Sequence, residues 1–478
     1  MFFLKHISII LNRKIFHICN LFYRLNKLYP SKTKGTQMKL RIMILFLVFG
    51  FVISNGQTKK IDFVQYKLDN GLNVILHKDN STPIVAVAVL YHVGSKNEDP
   101  ERTGFAHFFE HLMFEGSPNI KRGEYFKIIE GAGGELNANT SFDRTYYYQV
   151  MPSHQLELGL YMESERMLHL KIDSIGVETQ RKVVKEERKQ SYENRPYGSL
   201  LEKLFSNAYK VHPYRWTPIG IAQYIDMATL DEFIAFYKKF YVPQNATLSI
   251  AGDIDINKTK ELVKKYFGEI PVGKEKIERP NVVEPPQTAE VREVVYDKVQ
   301  LPLVLHAYHI PAQGTPDYYA LNMLTQVLSG GESSRLTKEI KDKQQKAFFV
   351  GTIPLALEDP GLFIIYGLTN VGVKPEDLEA AYDAEIEKVK KELISNDEFQ
   401  KVRNQIETQF VTRNSTMRGI AESLANYFVY FGNADLINSE IQRYMKVTKD
   451  DIKRVANKYL TKENRVVLYY LPKPVESN

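Results

Sequence analysis

The segment 103–116, TGFAHFFEHLMFEG, holds three side chains from which hydrolytic chemistry can be built. His107, Glu110 and His111 form the pattern H-x-x-E-H. On a helix, His107 and His111 stand at i and i+4, so both imidazoles leave the same face one turn apart. That spacing suits two nitrogen ligands on one tetrahedral zinc ion. Glu110 lies near the same face, where its carboxylate would orient an attacking water and accept its proton. An amphipathic helix with two surface histidines has the same spacing, so the pattern needs support from elsewhere. A catalytic zinc needs a third protein ligand and an open position. The helical run 178–193, ETQRKVVKEERKQSYE, offers Glu186 and Glu187. A solvated charged helix is the commoner fate of such a run, and spacing alone does not choose between the two acids.

These residues need a frame. Phe63 to Leu68 alternates, Asp69-Asn70-Gly71 signals a hairpin turn, and Leu72 to His77 returns as a second strand. Ile84 to His92 reads as a longer apolar strand. Helical patterns follow near 103–115 and 123–131; Thr103 and Gly104 read as the start of the first and Gly116 as its end. Polar strands are expected near 134–141 and 144–151, helices from 153 to 240, a strand at Ala246 to Ala251 and a helix at 255–267. Residues 271–289 carry proline and charge with little apolar periodicity, which marks a linker. The second half repeats the plan. Strands are expected at 291–297 and 301–310, a helix at 316–328, and a glycine turn at Gly330-Gly331. Strands near 347–353 and 361–369 precede helices from 375 to 459, and Arg465 to Leu471 closes as a strand. Strands then helices, twice, predict an α+β protein of two domains of similar build. Identity between the halves is too faint to establish duplication.

Composition narrows the function classes. The chain of 478 residues is 44% hydrophobic and 25% charged, which excludes a disordered or fibrous protein. The net charge of +6 invites a nucleic-acid reading, but residues 1–56 hold nine Lys or Arg and no acid. Without them 54 basic residues face 57 acidic ones, a net charge of −3, so no nucleic-acid partner is expected. From Met38 the chain reads as a secretory signal peptide. Lys39 and Arg41 lead a 12-residue apolar run, Ile42 to Ile53, and Ser54-Asn55-Gly56 precedes Gln57. The run is short for a transmembrane helix, which needs roughly 20 residues. Export with cleavage near Gly56/Gln57 is therefore expected, with an uncleaved anchor as the alternative and no stable membrane span after cleavage. Residues 1–37 read as a non-native or disordered extension. Cys19, the only cysteine, lies in this leader, so the mature chain offers no thiolate ligand and no disulfide. The divisions expected are 38–56 signal peptide, 57–272 N-terminal zinc-binding domain, 273–290 linker and 291–478 C-terminal domain of related fold.

H-x-x-E-H inverts H-E-x-x-H, and the chain resembles the pitrilysin (M16, inverzincin) metallopeptidases. GFAHFFEHLMFEGS, GGELNANTSFDRTYYY, VVKEERKQSYENRPYG, HPYRWTPIG at 212–220 and LSGGESSRL at 328–336 carry the likeness, which spans about residues 60–472. The resemblance implies the short, two-domain branch typified by the mitochondrial processing peptidase, with a pitrilysin/LuxS-like fold in which each domain is a mixed sheet flanked by helices. It implies a zinc endopeptidase with one Zn2+ per chain, held by His107, His111 and Glu187, with Glu110 as the catalytic base. A Glu that often stands behind the ligands is replaced here by Gln180, which can hydrogen-bond an imidazole but adds no charge. Asn137, Ala138 and Asn139 match the strand beside which relatives lay their peptide substrates as an added β-strand. Cleavage of the signal peptide would leave the chain in the periplasm or another extracytoplasmic setting.

One departure bears on partners. Complete members carry an Arg and a Tyr, seven residues apart, in the C-terminal half. The matching positions here are Lys341 and Phe348. Lysine keeps charge but lacks the planar fork, and phenylalanine cannot donate a hydrogen bond. The expectation is the catalytic subunit of a heterodimer whose paralogous partner brings the Arg/Tyr pair. The alternatives are a self-sufficient homodimeric peptidase and a non-catalytic scaffold or peptide-binding subunit.

Overall fold

A computed structural model describes residues 60–474; the expected signal peptide and the extension before it lie outside the described residues. Six strands make the first sheet: β1 (Val64–Lys67), β2 (Asn73–Lys78), β3 (Ile84–Tyr91), β4 (Glu135–Thr140), β5 (Thr145–Pro152) and β6 (Ala246–Gly252). Their order is β1-β2-β6-β3-β5-β4, antiparallel except for β2 beside β6. The hairpin expected at Asp69-Asn70-Gly71 forms, with Val64 opposite Leu76 and Gly71 at a φ of +92°. Five strands make the second sheet: β7 (Val291–Asp297), β8 (Leu303–Ile310), β9 (Ala347–Leu355), β10 (Gly361–Thr369) and β11 (Arg465–Pro472). Their order is β7-β11-β8-β10-β9, with β7 and β11 parallel. Apart from β1, the two sheets have the same topology: β7, β11, β8, β10 and β9 take the places of β2, β6, β3, β5 and β4. Duplication that is illegible in residue identity is therefore plain in strand order.

The first half carries helices α1 (Phe105–Leu112), α2 (Tyr125–Gly131), α3 (Leu156–His169), α4 (Ser174–Arg188), α5 (Leu200–Ala208), α6 (Ala222–Met227), α7 (Leu230–Phe240) and α8 (Ile256–Phe267). The second carries α9 (Pro316–Ser329), α10 (Pro375–Lys391), α11 (Asn396–Arg413), α12 (Met417–Phe431), α13 (Leu436–Met445) and α14 (Lys449–Tyr459). No helix or strand lies between Phe267 and Val291. Among the described residues no helix is long and apolar enough to cross a membrane.

Strand β3 shows why its sequence reads as a continuous apolar run. Val85, Val87 and Val89 face α1, α3, α7 and α8 across the first core, which also holds Phe108, Phe109, Leu160, Phe233 and Phe267. The alternate residues Ala86, Ala88 and Leu90 face Met417, Ile420, Leu424 and Ile437, which belong to α12 and α13 of the second half. Both faces of the strand are thus buried. The second sheet reciprocates. Val304, Phe363, Ile365 and Val467 face its own helices, while Leu303, Leu305, Ile364 and Leu468 face Leu204, Phe205, Ala208 and Tyr214 of the first half. Each half therefore covers one face of the other's sheet, and from Lys60 onward the chain forms one unit.

Candidate active site

Helix α1 is built to present one polar corner. Phe105 and Phe108 stack on Phe233 of α7, with ring centroids 4.7 and 4.5 Å apart, and Phe109 stacks on Phe236 at 5.4 Å. With that face buried, His107, Glu110 and His111 turn outward and remain partly exposed. The helix is shorter than the sequence predicts. It ends at Leu112, and Gly116, at a φ of +98°, serves the following loop. Its start also differs. Thr103 does not cap it: the Thr103 hydroxyl oxygen accepts the Ile221 N–H instead. Gly104, at a φ of +98°, occupies the N-cap, and the helix N-terminus is closed by Glu98. One carboxyl oxygen of Glu98 accepts the Gly104 N–H at 2.9 Å and the other accepts the Ala106 N–H at 2.8 Å. One buried side chain thereby satisfies two N–H groups at the helix start that have no partner within the helix. The backbone of Gly220 packs directly on Gly104, where a Cβ would lie 2.4 Å from the Gly104 Cα, so HPYRWTPIG ends in the glycine this contact requires.

Helix α4 brings the third acid. Asp173 caps it by accepting the Gly176 N–H at 2.7 Å. Its inward stripe runs through Val177, Gln180, Val184 and Glu187 at helical spacing. Glu187 Oε2 lies 3.2 Å from His111 Nε2 and Glu187 Oε1 lies 3.6 Å from His107 Nε2. Glu186 points away and accepts a hydrogen bond from Gln190. Of the two acids that spacing left open, only Glu187 meets the imidazoles. A π-helical turn, Lys189–Glu193, follows at once, within the run 178–193 that the pattern predicts as continuous helix.

One atom from each of His107, His111 and Glu187 can be chosen so that all lie within 4.8 Å of one another. A tetrahedral ion with ligand bonds near 2.0–2.1 Å separates its ligand atoms by roughly 3.3 Å, so the observed spacings fit one such ion with a fourth position open. Burial, and then the neighbouring His111, bring the His107 pKa down to about 4, which leaves a neutral ring with a free lone pair. The hydrogen bond to His111 holds the Glu187 carboxyl below its ordinary value, against the effect of burial. Both directions favour the ligating forms.

Glu110 is fixed from the other side. The Thr140 hydroxyl, on β4, donates to Glu110 Oε2 at 2.7 Å. Burial raises the Glu110 pKa, and the Thr140 hydrogen bond and His111 oppose that. Thr140 lies within GGELNANTSFDRTYYY, but its role needs the strand and helix to meet, so spacing does not show it. Strand β4 ends the first sheet and pairs only with β5, leaving its outer edge open. Asn137 and Asn139 are exposed on one face, while Ala138 and Thr140 face the helix side. The Ala138 N–H is taken by the Asn137 side chain at 2.8 Å rather than by β5.

Gln180 does not reach an imidazole. Its Nε2 donates to Oε1 of Glu115, in the loop after α1, at 2.5 Å. Lys341 sits in a second π-helical turn, Thr337–Lys343, 3.7 Å from the exposed Glu332. Phe348 lies on β9, the edge strand equivalent to β4, and is 64% exposed. The sequence also gave no hint of the buried ion cluster around Lys96. Its ammonium lies 3.0 Å from Asp143 and 3.1 Å from Asp359, and Glu358 bridges it to His92. Here the first half grips the 358–359 turn of the second.

The chain is similar to known proteins. Residues 73–218 match the family model described as insulinase (peptidase family M16), and residues 228–406 match the model described as peptidase M16 inactive domain. The latter accords with α9, which occupies the place of α1 in the second sheet and has no histidine or glutamate. The chain is 34% identical over 408 residues to zinc protease PqqE of Helicobacter pylori, covering 85% of this chain and 92% of that one. The crystal structure of a protease from Helicobacter pylori matches with a TM-score of 0.83 at 32% identity, over 86% of this chain and 100% of that one. The periplasmic protease PqqL from Escherichia coli matches in fold, with a TM-score of 0.71 at 19% identity, over 87% of this chain and 48% of that one. With two sheets of one topology, the first bearing the H-x-x-E-H helix, and with relatives of this extent, the chain belongs to peptidase family M16.

Proposed function

We propose that this protein is a zinc-dependent endopeptidase acting on unstructured peptides. The convergence of His107, His111 and Glu187, with Glu110 held beside them by Thr140, carries the reading. His107 Nε2, His111 Nε2 and the Glu187 carboxylate would hold Zn2+, one per chain. When bound there, the ion polarises the scissile carbonyl and acidifies water. Glu110 accepts the proton of the attacking water and delivers it to the departing amine. The Thr140 hydroxyl keeps one Glu110 oxygen occupied and leaves the other to face the reaction. The substrate adds as a strand at the open edge of β4, beside Asn137, Ala138 and Asn139. Main-chain pairing gives affinity with little sequence preference. Ala138→Pro removes an edge N–H that β5 does not use, and proline is tolerated at sheet edges. It should lower kcat/KM about tenfold while metal content and Tm hold.

The test is the metal content of the purified chain and its cleavage of an unstructured peptide, with and without a chelator. Cleavage that survives complete metal removal sinks the reading. Metal without turnover, even with a partner chain present, leaves a binding subunit instead. We further propose export, with cleavage near Gly56/Gln57, in keeping with the periplasmic relative; the N-terminal sequence of protein from its native host tests it.

The heterodimer belongs to the same proposal. Lys341 and Phe348 both face solvent, and neither can supply a planar guanidinium or a phenol from this chain. A paralogous subunit with that Arg/Tyr pair would complete the site.

A further inference from the structure

The two ligand-bearing helices, α1 and α4, are joined by a polar bridge that the reaction itself does not use. Glu115 stands three residues beyond the end of α1 and is 5% exposed. Its Oε1 accepts the Gln180 Nε2–H at 2.5 Å, and its Oε2 pairs with Arg122 Nε. Arg122 continues through Nη2 to Asp173 Oδ1 at 2.8 Å, the oxygen that also caps α4 at Gly176. Glu115 thus holds α4 at two points, its N-terminus and the turn of Gln180. Gln180 and Glu187 lie seven residues apart, two turns along one face. The packing leaves no slack: a Cβ at Gly176 would lie 3.1 Å from Arg122 Nη2, 3.3 Å from Asp173 Oδ1 and 3.4 Å from Glu115 Oε2.

We infer that Glu115 is a positioning residue that sets the distance of Glu187 from the two histidines, and through it the affinity of the site for metal. The inference rests on the metal-site reading above. It also accounts for Gln180, since a glutamate there would set two carboxylates against each other where Gln180 now donates to Glu115. Residues behind metal ligands fix ligand orientation, and their loss typically costs about 10- to 100-fold in metal affinity. A bridge acts as one unit, so removing either end should do what removing both does.

The experiment uses the full chain, Zn2+ alone as probe, and competition against a chromophoric chelator. Glu115→Ala and Gln180→Met should each weaken Zn2+ binding at least about tenfold, and the double variant should be no weaker than the worse single. Glu115→Gln, which still accepts from Gln180 but cannot pair with Arg122, should recover part of the loss. The visible absorption of bound Co2+ should change in the weakened variants, because Glu187 is displaced. Thermal unfolding of the metal-free chains should shift by only a few degrees. Unchanged Zn2+ affinity, additive losses in the double variant, or losses that merely track metal-free stability each overturn the bridge. A wild-type chain that binds no Zn2+ overturns the metal-site reading instead, which separates the two failures.

Discussion

Glu110 separates binding from chemistry at the scale of single residues. It lies outside the group formed by His107, His111 and Glu187, and its carboxyl accepts a hydrogen bond from the Thr140 hydroxyl. Glu110→Gln keeps the size and the Thr140 contact but cannot take up a proton. It should retain metal and lose about 10²–10⁴ in kcat, the usual worth of a positioned base. His111→Ala should lose both metal and activity, since it removes a ligand. Metal analysis beside single-turnover rates reads both outcomes. A Glu110→Gln protein with full activity refutes the assignment.

Among the elements, helix α1 depends on a group outside itself. Glu98 is fully buried, and burial pushes its carboxyl up to about 8 despite the N–H groups of Ala106 and Gly104. An unfolded chain releases the proton near 4.3. The folded state therefore holds a proton that the unfolded state has lost between these values. The stability this gives is complete below about pH 4.3 and disappears as pH rises to about 8. The Glu98→Gln variant has no such titration. Wild type should lose stability relative to it between pH 5 and pH 8, as read by denaturant midpoints at matched ionic strength. A stability gap that stays flat across that range refutes the burial argument and leaves Glu98 ionised throughout.

For the whole molecule, the exchange of helices makes the halves interdependent. Leu424 of α12 is fully buried against Ile75, Ala86 and Leu90 of the first sheet. Leu424→Ala should cost about 2–5 kcal/mol, and the first half should lose stability together with the half that carries the mutation. Two separate unfolding transitions, with only the second half shifted, would contradict it. The proposed division of labour would also be a property of an assembly. A donor opposite the metal is worth about 10²–10³ in rate. The isolated chain should therefore cleave slowly. Lys341→Arg/Phe348→Tyr, or mixing with a paralogue that carries the Arg/Tyr pair, should raise kcat/KM. An isolated wild-type chain as fast as the mixture replaces the heterodimer with a self-sufficient homodimer.

Local periodicity and residue type specify part of this protein without reference to distant contacts. The helix that carries H-x-x-E-H, the hairpin at Asp69-Asn70-Gly71, the polar strand β4 and the helical run before Glu187 are all within reach of short-range rules, and the structure has each element there. Resemblance supplied what spacing left open, naming Glu187 over Glu186. Tertiary structure decided the rest, because those features are contacts between residues far apart in the chain. Thr140 meets Glu110 only when β4 lies beside α1. Glu98 becomes a cap only when its loop folds back over the helix start, which is why α1 opens at Gly104 and not on a Thr103 side chain. Gln180 donates to Glu115, a pairing that exists only when α4 lies beside the loop after α1. The repeated sheet order and the crossed helices follow from burying both faces of each sheet, a demand that many residue choices satisfy equally well, so two halves can share a fold and show almost no common sequence.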